Sequence, residues 1–292
     1  MKIGVQLYLG GEAGTPEFLG PAAKAIEERG FHEIWLAEHI VLFPELTSKY
    51  PYSADGSFPL GTTLLPLEPF TAMAFMAAHT STVRLATGVS VLPQRNPIFA
   101  AKQIADVDVL SGGRVDYGVG AGWCLEEIQT LGTPTERRGA RTDDYLRLMK
   151  TLWTEELAEY DGEFYSVPPC HTGPKPVQSP HPPIIVGGIS RPALRRVARL
   201  GDGWFCVNRT PEEFEASVSE LQTICANEGR LPSEIRLIAS PPGGKGTLDM
   251  IKAYRDAGAD QVVLALTGRG LDRFLSRLDD FAEHVVAPAA EL

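Results

Sequence analysis

The chain has 292 residues, 43% of them hydrophobic and 22% charged, enough to bury a large core as one α/β barrel or as two smaller domains. A formal net charge of −10 argues against nucleic acid or an anionic membrane as the main partner and confines any phosphate site to a local basic patch. Cys124, Cys170, Cys206 and Cys225 stand at no metal-ligand or redox spacing; with no leader pattern and no bilayer-length apolar run, a cytoplasmic protein without a metal is expected.

Short β-rich runs and helical patterns alternate along the chain. "KIGVQLYL" reads as a strand, and the helix after it has Thr15 as a cap, Pro16 in its first turn and Gly30 at its end. Next come strand "EIWLAEH", a long loop, helix "PFTAMAFMAAHT", strand "VRLATGVSVL", helix "IFAAKQIADVDVLSGG" and strand "RVDYGVGAG". A more polar stretch, 125–182, holds a helix near Thr142 to Trp153. Beyond it lie strand "PIIVGG" with helix "RPALRRVARLG", strand "GWFCVN" with helix "TPEEFEASVSELQTICANEG", and then "EIRLIAS", "TLDMIKAYRDAG", "QVVLALT" and "GLDRFLSRLDDFAEHVV". Phe214, Val218, Leu221 and Cys225 recur at helical spacing and make one apolar stripe.

Eight strand-then-helix units predict an α/β fold, a single (β/α)8 TIM barrel over residues 1–292. A doubly wound sheet would need a strand-order reversal that no long crossover suggests. In a barrel, function gathers at the C-terminal strand ends: Leu7-Tyr8, Glu38-His39, Val89 to Val91, Gly120 to Trp123, Gly187-Gly188, Asn208, Ser240-Pro241 and Leu266-Thr267. Two insertions, 40–67 and 125–182, fall on that face and are long enough to be lids or binding elements.

"GRVDYGVGAGW" looks at first like a dinucleotide fingerprint, but Trp123 stands where the third glycine belongs. Gly118, Gly120 and Gly122 therefore mark close backbone approach or a bend in a strand. At "GGIS" the glycines and Ser190, ahead of a helix, form either an anion cradle or a plain capped turn. "PPGGKGT" lacks phosphate-loop spacing, and Arg137, Arg138 and Arg141 suit either an acidic ligand tail or a solvated helix entrance.

"TGVSVLPQRNP", "DVLSGGRVDYGVGAGW", "PKPVQSPHPPIIVGG" and "LGDGW" follow one another as in the bacterial luciferase-like flavin and deazaflavin oxidoreductases. With "AEHIVLFP" and "YPYSADG", the chain most resembles the coenzyme F420-dependent oxidoreductase branch. The resemblance implies a flavin-like ring at the barrel mouth, held by Glu38, Val89, Ser90, Val91, Gly120, Gly122, Trp123, Val186, Gly187, Gly188 and Ser190, with the phosphate on the two glycines. It also implies a non-proline cis peptide matched to Ser90-Val91, and catalytic roles for His39 and Glu38. Related deazaflavin enzymes carry Asp-His where this chain has Glu38-His39, and family sugar-phosphate dehydrogenases carry a catalytic glutamate where it has Trp123, so that chemistry is not expected. The implied activity is F420-dependent hydride transfer to or from a small organic substrate. The alternatives are an FMN-dependent luciferase-like monooxygenase and a barrel that binds flavin without turnover. A homodimer is also expected, because "PFTAMAFMAAHT" is apolar around much of its circumference.

Overall fold

The structure, a computed structural model, describes residues 1–266 and 270–292. In chain order its elements are β1 (Lys2–Leu7), α1 (Pro16–Glu28), β2 (Glu33–Leu36), α2 (Pro69–Ala77), β3 (Arg84–Thr87), β4 (Ser90–Val91), α3 (Pro97–Ser111) and β5 (Val115–Gly120). The insertion contributes α4 (Leu125–Thr130), α5 (Arg138–Thr154), β6 (Ala158–Asp161) and β7 (Ser166–Cys170). The second half adds β8 (Ile184–Gly187), α6 (Arg191–Leu200), β9 (Gly203–Val207), α7 (Pro211–Asn227), β10 (Arg236–Ser240), α8 (Leu248–Asp256), β11 (Gln261–Ala265), α9 (Leu271–Phe281) and α10 (Ala287–Ala290).

Every pairing in the main sheet is parallel, in the order β3-β2-β1-β11-β10-β9-β8-β5, and β3 pairs with β5 to close the ring. This is the expected barrel. Side-chain alternation along the strands sorts the core into two shells. Trp35, Ala86, Ile185, Phe205, Ile238 and Val263 fill the barrel, with Trp35 stacked on Phe205 at 4.5 Å between ring centroids. Their neighbours Ile34, Leu85, Val186, Cys206 and Val262 belong to the larger cluster beneath the helices.

Polar side chains start several helices. Asn96 Oδ1 accepts from Ile98 N and Phe99 N at the start of α3, and Thr210 with Glu213 forms a reciprocal capping box on α7. Thr15 differs, because its hydroxyl turns back to the Glu12 carbonyl and caps nothing in α1. Unforeseen were α4 and the antiparallel β6-β7 hairpin, which are too short to carry a periodic signal.

Gly118 answers the question its strand raised. A Cβ there would run into the Thr87 carbonyl oxygen, while Thr87 Oγ1 donates to the Gly118 carbonyl at 2.6 Å. What approaches this glycine is the neighbouring strand, at the point where β3 meets β5.

The N-terminal end of the barrel is plugged by charge. Glu33 and Asp116 are fully buried, Arg84 and Arg236 both close on the Asp116 carboxylate, and Gln261 Nε2 donates to Glu33 at 2.8 Å. Burial and the negative Asp116 push Glu33 well above the ordinary carboxylate range. Burial alone would raise Asp116 too, but the hydrogen bond from Glu33 and the two guanidiniums outweigh it and hold Asp116 low. The two buried carboxyls are thus pushed in opposite directions, Glu33 up and Asp116 down.

Candidate functional site

At the C-terminal end the strands surround a cavity of about 590 Å³, within the size range of small-molecule and cofactor sites. Its floor is Val89. The bond before that residue, Gly88-Val89, is the non-proline cis peptide, two bonds earlier in the bulge than the Ser90-Val91 position expected from sequence. Gly88 N donates to the Leu36 carbonyl at 2.7 Å, and Gln6 Nε2 donates to the Gly88 carbonyl at 2.9 Å, so both sides of the bulge are tied to adjoining strands. Gly120 and Gly187 flank Val89, and a Cβ on either would come within 2.8 Å of its methyl groups. These two glycines make room for the side chain that the bulge thrusts toward the mouth.

Of the residues expected around a ring cofactor, Glu38, Val89, Val91, Gly120, Gly122, Trp123, Gly187, Gly188 and Ser190 line the cavity. Ser90 and Val186 do not. Ser90 is buried beside the Tyr117 phenol and Val186 faces the helices, both on the outward phase of their strands. Thr267, expected at the last strand end, lies outside the described residues; Ala265 lines the wall nearby.

His39 and Glu38, just beyond the end of β2, both border the cavity but have different partners. The His39 Nδ1 meets Glu127 Oε2 at 2.9 Å, with both side chains buried, and Glu127 Oε1 accepts from Ile40 N at 2.5 Å and Val41 N at 3.2 Å. Glu127 thus fixes the imidazole ring, assigns its proton to Nδ1 and leaves Nε2 for the cavity. Glu38 is differently placed. Its carboxylate is fully enclosed and accepts from Val91 N at 3.3 Å, Gln94 Nε2 at 2.9 Å and Arg95 Nε at 3.0 Å, while Arg95 also bridges to Glu68 at 2.6 Å. In this arrangement Glu38 anchors the bulge strand, and the carboxylate that serves the histidine is Glu127. Sequence reasoning missed Glu127. The only available signal was an apolar-flanked acid, "LEEI", opening a short helix in an insertion.

The other end of the cavity is made for an anion. Gly188 adopts φ +119°, Ser190 Oγ caps α6 by accepting from Ala193 N at 3.4 Å, and the start of α5 faces this turn through Arg137, Arg138 and Gly139. Two helix N-termini therefore present their positive ends to one space. Arg137 pairs with Glu163 and Arg196 with Asp143, whereas Arg138 donates Nε to the Gly122 carbonyl at 3.2 Å and has no carboxylate partner among the described residues. Arg141 lies over the Phe164 ring at 4.5 Å, outside the cavity. A flat apolar floor at one end and anion donors at the other fit a ring cofactor with a phosphate-bearing tail.

Thiol and metal chemistry find no support here. Burial pushes Cys206 to about 12 and Cys124 to about 11, so neither is a thiolate at neutral pH. Among the described residues there is no group of three or more His, Cys, Asp or Glu that could hold a metal ion, and no helix is long and apolar enough to cross a membrane.

Residues 2–242 match the family model for luciferase-like monooxygenases. The chain belongs to that family. An uncharacterised protein of Mycobacterium tuberculosis is 34% identical over 295 residues, covering 100% of this chain and 99% of its own. The FMNH2-dependent dimethylsulfone monooxygenase of Pseudomonas putida is 33% identical over 153 residues, 51% of this chain and 42% of that enzyme. Among solved structures, the coenzyme F420-dependent tetrahydromethanopterin reductase of Methanopyrus kandleri superposes with a TM-score of 0.75 over 98% of both chains at 16% identity, a likeness of fold. The family is one of oxidoreductases, and a relative over half of this chain is an FMNH2-dependent monooxygenase.

Proposed function

We propose that this luciferase-like protein is a coenzyme F420-dependent oxidoreductase that moves a hydride between the deazaflavin and a small organic substrate. The observation that carries the reading is the buried His39–Glu127 pair, which offers one imidazole nitrogen to the cavity beside the Val89 floor. When bound, the deazaflavin supplies the hydride chemistry. This chain supplies the rest: Val89, Gly120 and Gly187 seat a ring, and Gly188, Ser190 and Arg138 hold its phosphate. His39 Nε2 accepts the hydroxyl proton as an alcohol carbon loses hydride, or returns it to the oxygen in the reverse direction. Glu127 stabilises the imidazolium that forms. Arg137 and Arg138 also suit the acidic tail that distinguishes F420 from FMN.

A second reading, an FMN-dependent monooxygenase, draws on the identity to the dimethylsulfone enzyme. Titration of the purified protein with each cofactor, followed by a substrate screen, separates the two. Turnover of no candidate substrate would favour the third possibility, a flavin-binding barrel without catalysis.

Gly188→Asp tests the anion end. A carboxylate would enter the cradle, so cofactor affinity is expected to fall by about 100-fold or more; the positive φ there also strains any side chain and lowers the thermal melt. Unchanged affinity with a normal melt would move the phosphate elsewhere.

The proposal includes a cytoplasmic homodimer acting on a small molecule. Phe70, Met73 and Met76 of α2 are buried within the monomer, so pairing would instead use the outer face of α3, where Phe99 and Leu110 are 71% and 67% exposed. Light scattering at micromolar protein is expected to give twice the chain mass; a monomer mass removes the dimer.

A further inference from the structure

Resting on that reading, we infer that the substrate is an uncharged, largely apolar alcohol or carbonyl compound, taken into an aromatic box that segment 40–67 completes. His39, Phe58, Trp123 and Tyr50 form a linked set of rings: His39 lies 5.1 Å from Phe58 and 5.6 Å from Trp123, and Tyr50 lies 5.3 Å from Phe58 and 5.2 Å from Trp123. All four line the cavity on the side of the proton-handling nitrogen. Two come from the barrel strand ends and two from the insertion, so the box exists only with the segment in place.

The charges at this end are already committed. Glu127 takes three donors, Glu38 is enclosed, and Arg95 is shared between Glu38 and Glu68. Burial pushes the Tyr52 and Tyr8 phenols to about 12, so both stay neutral. The arginines on the cavity wall, Arg137, Arg138 and Arg196, lie by the anion cradle, where the cofactor phosphate would take them. A phosphate, carboxylate or sulfonate at the aromatic end would lose water and gain no counter-charge. An ammonium group fares little better, since Phe58 and Trp123 lie only 33° from parallel at 5.4 Å and cover one another's faces. What the box can satisfy is apolar surface and one oxygen, placed on His39 Nε2.

The sequence of the box wall is irregular, yet it is firmly tied. Glu126 accepts from Thr47 N at 2.7 Å, Thr47 Oγ1 at 2.5 Å and Ser48 N at 2.9 Å. Ser48 Oγ in return accepts from Leu125 N at 3.0 Å, capping α4, whose own N-cap residue Cys124 makes no side-chain cap. Farther along, Asn208 Nδ2 donates to the Tyr52 carbonyl at 2.7 Å. Glu126 is therefore a positioning residue: it touches no substrate, but it sets where Tyr50 and Phe58 stand.

The test is ligand binding by saturation-transfer NMR, with cyclohexanol, cyclohexanone, glucose 6-phosphate and choline as probes, on protein with and without F420. The neutral rings are expected to bind saturably and the two charged probes not to compete. Phe58→Ala should weaken cyclohexanol at least about tenfold, and Glu126→Gln should raise its KM more than it lowers kcat; both should leave F420 affinity unchanged, with melting curves as the check on folding. Displacement of cyclohexanol from the F420-loaded protein by glucose 6-phosphate or choline overturns the inference, as does unaltered cyclohexanol binding in a folded Phe58→Ala protein. Failure of F420 to bind is a separate result that removes the cofactor assignment, while cyclohexanol binding to cofactor-free parent and Phe58→Ala protein still decides the aromatic box.

Discussion

Asp116→Asn is expected to lower the unfolding free energy by about 3–5 kcal/mol, the usual cost of breaking a buried ion pair from one side. The substitution keeps the shape of the side chain but leaves Arg84 and Arg236 facing each other at the base of the barrel without their shared carboxylate. Because the folded Asp116 is held below its ordinary range, its contribution is present at neutral pH and disappears as pH falls through the folded value. Glu33 has the opposite sign. Its raised folded value means that its contribution is complete below the ordinary carboxylate pKa and is lost as pH rises through the folded value. Glu33→Gln removes the titrating group while keeping its shape, so it should melt like the parent at pH 4 and above it at pH 8. Circular dichroism melts of both variants across pH check the pair, and an Asp116→Asn protein as stable as the parent would refute the ion-paired plug.

His39→Ala is expected to reduce turnover by about 10²- to 10⁴-fold, the range for a positioned acid–base group, with F420 affinity nearly unchanged. The imidazole is held by Glu127 alone on its Nδ1 side, so Glu127→Gln should give a smaller loss together with a displaced pH–rate profile. Its amide can still accept from Ile40 or His39, though it cannot balance an imidazolium. Single-turnover reduction or oxidation of bound deazaflavin across pH makes the measurement. A His39→Ala enzyme as fast as the parent removes the residue from the mechanism; a variant that fails to fold would instead make His39 a structural partner of the buried Glu127.

The barrel was legible because alternation of strand and helix patterns survives in a single chain, and because parallel strands joined by right-handed crossovers have few ways to close. The cap at Ser190 was equally local and sits where the residue type indicates, whereas Thr15, read in the same way, caps nothing. The site was legible only in part. Gly118 signalled a close approach, yet nothing nearby in sequence named the Thr87 carbonyl as the approaching group. Ser90 and Val186 were taken for lining residues by following contiguous motifs, when the period of two puts Val89 and Gly187 inward and Ser90 and Val186 outward. Glu127 escaped notice because its role depends on a segment 88 residues away, from which it receives His39. Glu38 carried the family's acid position, but its meaning changes once Arg95, a residue no local pattern singles out, closes over it.

The central claim is that this cavity holds a deazaflavin with its ring on Val89 and its phosphate at Gly188. Parallel fluorescence titrations of cofactor-free protein with F420 and with FMN test it most directly, and the Gly188→Asp variant run beside the parent reports on the phosphate end. The account predicts one F420 per chain, bound more tightly than FMN and lost in the variant. Tighter binding of FMN, or no saturable binding of F420, would contradict it.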